Sequence, residues 1–119
     1  MQRMRIGIPK EVKAEETRVA ITPSGVSALV AHGHQVLVER SAGSGSSIPD
    51  DLYQVAGARL LPTAAAVWEQ AQMVLKVKEP LPSEYPFLRP GLIVFTYLHL
   101  AADETLTRRL LDTQVTTLG

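Results

Sequence analysis

The stretch TPSGVSALVAHGHQVLVE, Thr22 to Glu39, decides the fold. Thr22 is an N-cap candidate, Pro23 stands at the first helical position, Val26, Leu29 and Val30 make an apolar stripe, and Gly33 stops the helix. Immediately afterwards Gln35 to Glu39 alternates as a β-strand, so the apolar period changes from helical to extended within two residues. The same alternation repeats along the chain. Met4 to Ile8 reads as a first strand closed by Pro9. Pro49 and Asp50 open a short helix with Leu52, Tyr53 and Val55, ended by Gly57 before the strand Ala58 to Leu61. Thr63 caps a helix through Val67 and Trp68, followed by the strand Met73 to Lys78, the turn prolines Pro80 and Pro82, and a short helical piece around Tyr85 and Leu88. Leu92 to Leu98 is the longest strand, Asp103 caps a helix with Leu106, Leu110 and Leu111 inward, and Val115 to Leu118 begins a further strand. Strands alternating with helices in units of about 30 residues predict βαβ crossovers. The fold class is therefore doubly wound α/β, a mostly parallel sheet with helices on both faces, Rossmann-like or flavodoxin-like.

The chain has 119 residues, 45% of them hydrophobic and 20% charged, enough for one domain with a core and too few for two. Twelve basic and twelve acidic residues cancel and are interspersed, so no nucleic-acid stripe or polybasic membrane segment is visible. The absence of cysteine removes disulfides, thiolate chemistry and cysteine metal sites, and fits a reducing compartment; the cytoplasm is the default expectation. MQRMRIGIPK has no apolar signal region, and no apolar run approaches the roughly 20 residues that span a bilayer.

Three side chains with ligand chemistry, Arg18, Lys78 and His99, follow predicted strands in GIPKEVKAEETRV, VLKVKEP and VFTYLHL. In an open α/β sheet such positions lie along one carboxyl-terminal edge, where ligands bind, and three such groups there suit a small carboxylate. Each also has a plainer reading. Arg18 sits among acids, where Glu15 or Glu16 could pair with it. Lys76 and Lys78 share one side of an apolar strand by the period of two; either they meet an anion, or Lys76 snorkels to solvent while Lys78 caps the edge beside Glu79 or another acid. His99 ends an apolar strand, where it is either a core histidine bonded to a carbonyl or a proton-carrying group of the pocket. His32 and His34 flank Gly33 and read as surface residues at a turn; without cysteine or a carboxylate at ligand spacing, no metal site is expected. SAGSGSS, Ser41 to Ser47, lacks the third glycine of a dinucleotide fingerprint and the lysine of a P-loop, and reads as a plain, mobile loop rather than a phosphate cradle.

RIGIPKEVKAEETRVAITPSGV, LKVKEPLPSEY and FTYLHLAA together resemble the amino-terminal region of bacterial alanine dehydrogenase, in the family that also holds the nicotinamide nucleotide transhydrogenase α subunit. The resemblance runs from Met4 to about Thr117. KVKEP and the histidine of YLHL look like the alanine dehydrogenase branch. It implies that Arg18 and Lys78 bind the carboxylate and carbonyl end of L-alanine or pyruvate. It further implies that Lys78 and His99 are catalytic, with His99 assisting proton transfer. The reaction implied is L-alanine, NAD and water to pyruvate, ammonium and NADH. Residues 1–119 are then the amino-terminal part of the substrate domain. NAD would be bound by a nucleotide domain absent from this chain, which is expected to be a fragment, truncated at its C-terminus, lacking turnover alone. A homo-oligomer, a hexamer in the family, is implied as well. The alternatives are the corresponding part of a transhydrogenase α subunit, or a non-catalytic binding module that retains the fold.

Overall fold

A computed structural model describes residues 3–13, 16–96 and 116–118. Strands β1 (Arg5–Ile8), β2 (Gln35–Glu39), β3 (Arg59–Leu61), β4 (Met73–Lys76), β5 (Ile93–Thr96) and β6 (Thr116–Leu118) form one sheet in the order β3-β2-β1-β4-β5-β6. Every neighbouring pair is parallel. The helices are α1 (Pro23–Ala31), α2 (Asp50–Val55) and α3 (Ala64–Gln70), with 3-10 turns at Ser44–Ser46 and Pro82–Phe87. This is the doubly wound fold that the alternation predicts.

Local chemistry explains the boundaries. The Thr22 and Thr63 hydroxyls accept the amides of Gly25 and Ala66, capping α1 and α3 as expected. Gly33 and Gly57 close the helices before β2 and β3 at φ of +92° and +109°, where a Cβ would be strained. Several expected strands are shorter: β1, β3 and β5 begin one residue later, at Arg5, Arg59 and Ile93, and β4 stops at Lys76 rather than Lys78. The end of the fifth expected strand, Tyr97 and Leu98, and the helix capped by Asp103 lie outside the described residues.

The sheet is buried on both faces, as its near-continuous apolar strands require. Ile6, Ile8, Val36 and Val38 pack with Val26 of α1 and Tyr53 of α2, while Leu37 and Leu61 pack with Val67 of α3. Trp68, Ala71, Val74, Leu88, Leu92 and Val94 continue the core under the second 3-10 turn, with Trp68 stacked on Phe87 at 5.8 Å. At Gly7 the approach of α3 is so close that a Cβ would lie 2.8 Å from the Ala71 Cβ and from the Val67 Cγ1. Glycine in β1 thus sets the depth at which α3 docks.

His34 corrects one expectation. It is buried at 6% exposure, and its Nδ1 accepts the Met4 amide, so it ties the turn after α1 to the start of β1 instead of facing solvent. His32 is exposed.

Candidate functional site

The strand order reverses between β1 and β4, and in open α/β sheets the crevice outside the carboxyl ends of two such strands is where ligands bind. Both strands deliver charge there. After β1 the chain does not turn at once into a helix; residues 9–22 lead to α1 and bring Glu11, Glu16 and Arg18 over the edge, while β4 ends at Lys76 with Lys78 two residues beyond it.

Arg18 and Lys78 meet at one carboxylate. The Arg18 Nε and Nη2 donate to the two Glu16 oxygens at 3.0 Å each, the Arg18 backbone amide donates to Oε2 at 2.8 Å, and the Lys78 Nζ lies 3.7 Å from Oε1. Hydrogen bonds from the Arg18 side chain, and then its amide, hold the Glu16 carboxyl at about 2, well below its ordinary value. Glu16 in turn raises the Arg18 guanidinium. Glu16 occupies only the Nε/Nη2 edge of the guanidinium. On the other edge, Nη1 and the second N–H of Nη2 have no partner among the described residues, and the Arg18 side chain is 63% exposed. Of the two acids weighed beside Arg18, Glu16 is its partner; Glu15 lies outside the described residues. For Lys78, weighed beside Glu79 or another acid, the acid is Glu16, while Glu79 pairs with Lys13 at 3.0 Å.

Lys76 does not snorkel to solvent. Its side chain is 1% exposed, and its Nζ lies 3.2 Å from Glu11 and 3.1 Å from Glu84, both themselves buried. Burial pushes the Glu84 carboxyl up against the opposing pull of Lys76. The acids are also tied to the backbone: Glu84 Oε1 accepts the Leu81 amide, Glu11 Oε2 accepts the Val77 amide at 3.0 Å, and Glu11 Oε1 accepts the Lys78 amide at 3.1 Å. The β1–β4 register ends at Gly7 with Val74, so Glu11 supplies by side chain the acceptors that a neighbouring strand would have offered. Both acids escaped the sequence reading. The available signal was Lys76 inside an apolar strand, since a buried ammonium requires anions, but nothing local says which of twelve acids they are.

The SAGSGSS loop is built against this segment. Ser46 Oγ donates to the Thr17 carbonyl at 2.8 Å, a Cβ on Gly45 would lie 2.7 Å from that same oxygen, and a Cβ on Gly43 would strike Ile48 and Tyr53. Its glycines admit the protein's own chain beside Arg18. The described residues do not fit a dinucleotide: the β1 to α1 connection, where a pyrophosphate would sit, holds the Glu11 and Glu16 carboxylates. Among those residues no cluster of metal-ligand type occurs, and no helix is long and apolar enough to cross a membrane. His99, the third expected site residue, lies outside the described residues.

An open parallel sheet of this order defines a doubly wound α/β domain, with two cations, Arg18 and Lys78, at its switch point. The chain belongs to the family described as alanine dehydrogenase/PNT, N-terminal domain, which matches residues 7–119. It is 55% identical over 116 residues to alanine dehydrogenase 2 of Staphylococcus aureus, covering 98% of this chain and 31% of that relative. A solved L-alanine dehydrogenase superposes with a TM-score of 0.92 at 46% identity, over 96% of this chain and 31% of that one. The transhydrogenase from Sinorhizobium meliloti superposes at 0.87 with 35% identity, over 95% of this chain and 33% of that one. The chain thus spans about a third of the length of these relatives.

Proposed function

We propose that this chain is the substrate-binding portion of an NAD-dependent alanine dehydrogenase, the amino-terminal part of its substrate domain, and that it binds the carboxylate and carbonyl end of pyruvate or L-alanine. The observation that supports this most directly is the convergence of the Arg18 guanidinium and the Lys78 ammonium on a single carboxylate, Glu16. With Glu16 fixing one edge of the guanidinium, the Nη1/Nη2 edge is presented for a second, bidentate carboxylate. Lys78, a compact charge beside it, then faces the substrate's carbonyl oxygen and stabilises the negative charge that develops there. His99 assists proton transfer at the substrate by resemblance to the family. The overall reaction is L-alanine, NAD and water to pyruvate, ammonium and NADH; the nucleotide is held by residues outside this chain, in a hexameric cytoplasmic enzyme, and the isolated chain has no turnover. KVKEP and YLHL favour this reading over a transhydrogenase role, in which hydride moves between nucleotides and a carboxylate pocket is unnecessary.

The test is calorimetric titration of pyruvate and of oxamate into the chain, into Arg18→Ala and into Lys78→Ala. Each substitution is expected to weaken binding at least tenfold, equivalent to about 1.4 kcal/mol. Equal heats from all three proteins would refute the carboxylate pocket.

A further inference from the structure

The buried trio beneath Lys78 is asymmetric in a way that assigns its members different tasks. Lys76 contacts both acids, but Glu84 accepts the Leu81 amide at the second 3-10 turn, whereas Glu11 alone reaches the backbone that carries Lys78. Both Glu11 oxygens are used. One takes the Val77 amide, and the other takes the Lys78 amide together with the Lys76 ammonium. Beyond Lys76 the segment has left the sheet, so its direction is set by these bonds and no longer by a strand ladder. A carboxylate accepting several donors with both oxygens is geometrically more demanding than a neutral acceptor, because moving it breaks all of them together.

We infer that Glu11 is a positioning residue for the substrate site: by bracketing the amides of Val77 and Lys78, it aims the Lys78 ammonium at the place shared with Arg18. This rests on the reading of Lys78 as a substrate residue. Glu84 neutralises Lys76 but does not aim Lys78. The two acids therefore differ in function although they contact the same ammonium.

The experiment compares two double variants that each remove one positive and one negative charge from the same buried place, Glu11→Gln with Lys76→Met and Glu84→Gln with Lys76→Met. Removing Lys76 in both avoids stranding an ammonium, so each variant keeps one buried carboxyl. Three quantities are read: thermal midpoint, amide hydrogen exchange at Val77 and Lys78, and oxamate affinity. In the Glu84 variant, slow exchange at both amides and affinity within about threefold of wild type are expected, since the Glu11 hydrogen bonds persist. In the Glu11 variant at least one amide exchanges fast and oxamate binds about tenfold more weakly, at a thermal midpoint like that of its counterpart. Equal affinities and equal exchange in the two variants would overturn the assignment.

A readout without ligand separates this inference from the function proposed above. The titration of the Glu16 carboxyl, followed by its 13Cδ resonance, reports the Lys78 ammonium, and Lys78→Ala sets the size of the upward shift on losing it. Both double variants lose the Lys76 ammonium alike, and removing the Glu11 charge by itself would move Glu16 downward, so a Glu16 value higher in the Glu11 variant than in its counterpart comes from a displaced Lys78. If no chain binds oxamate but this shift appears, the substrate reading fails and the positioning role stands. If Glu16 titrates alike in both double variants, or Lys78→Ala leaves it unmoved, the positioning role is wrong. Should the Glu11 variant fail to fold, the Glu84 variant still decides: rapid exchange at Val77 and Lys78 there would assign the positioning to the trio as a whole, against the inference.

Discussion

Lys76→Ala is the substitution whose cost follows most directly from the structure. The Lys76 side chain is 1% exposed, and its Nζ lies within 3.2 Å of two carboxylates that are buried with it. Deleting it leaves both carboxylates without their cation, and breaking a buried pair in this way costs about 3–5 kcal/mol. A 119-residue chain unfolds with an entropy of about 0.25 kcal/mol per kelvin, so the thermal midpoint falls by about 12–20 °C near neutral pH. The pH dependence has a definite sign. Burial already raises the Glu84 carboxyl, and Lys76 is the main influence holding it down, so removing Lys76 lets it rise further. A carboxyl whose folded pKa exceeds its unfolded one opposes folding when ionised; the penalty is full above the raised pKa and relieved as pH falls through it. The deficit relative to wild type is therefore largest in mild alkali and shrinks in mild acid, and adding Glu84→Gln recovers part of it. Circular-dichroism melts across that range measure both. A loss below about 1 kcal/mol at neutral pH, or a deficit that grows on acidification, would refute the reading of Lys76 as a charge neutralised in the core.

Glu16→Gln is expected to show the opposite trend: the Glu16 carboxyl is held at about 2 against a reference of 4.5, so its contribution is present above the reference and lost as pH falls through the folded value. The midpoint gap between wild type and variant closes toward about pH 2, and a gap unchanged over the acid range would contradict the pairing with Arg18. Gly7→Ala places a Cβ 2.8 Å from Ala71 and Val67, and overpacking of this kind costs about 1–3 kcal/mol, read as a lower urea midpoint and partly recovered by Ala71→Gly. Tyr53→Phe removes the 2.7 Å hydrogen bond to the Ile21 carbonyl and leaves that acceptor unpaired, an expected loss of about 1–3 kcal/mol by the same assay; a variant as stable as wild type would mean water replaces the phenol.

What the sequence made legible was whatever depends on nearest neighbours along the chain. Thr22 with Pro23, Thr63, Gly33 and Gly57 are local devices, and each stands where its chemistry requires. The bounds of β2 and α2 were readable for the same reason. The partners of Lys76 were not, because Glu11 is 65 residues away and Glu84 follows a turn; only the sheet order brings the end of β1 beside the end of β4. The shortening of β4 has the same origin. Period two runs on to Lys78, but the neighbouring strand has already left the sheet, and a side chain takes over its acceptors. His34 was misread because its partner, the Met4 amide just before β1, is 30 residues away, whereas its flanking glycine suggested an exposed turn.

The buried trio is a poor device for stability alone. Apolar residues of similar volume are often as good as a buried ion group or better, since two or three desolvated charges must be offset by geometry before anything is gained. Its retention makes physical sense only if the charges accomplish something that apolar groups cannot. Glu84 satisfies only Lys76 and the turn at Leu81, so a neutral acceptor such as glutamine could take its place. Glu11 cannot be exchanged in that way, because at least one of two amides just beyond a strand end would be left without its acceptor, and the segment bearing Lys78 would lose its direction. The need for Lys76 then follows from Glu11: a carboxylate placed in the core to hold backbone needs a cation there, and the ammonium that supplies it extends from the strand end that Glu11 bonds. On this argument the charges at the switch point form two levels, a buried one that fixes the backbone and an upper one, Glu16 with Arg18 and Lys78, at the mouth of the crevice.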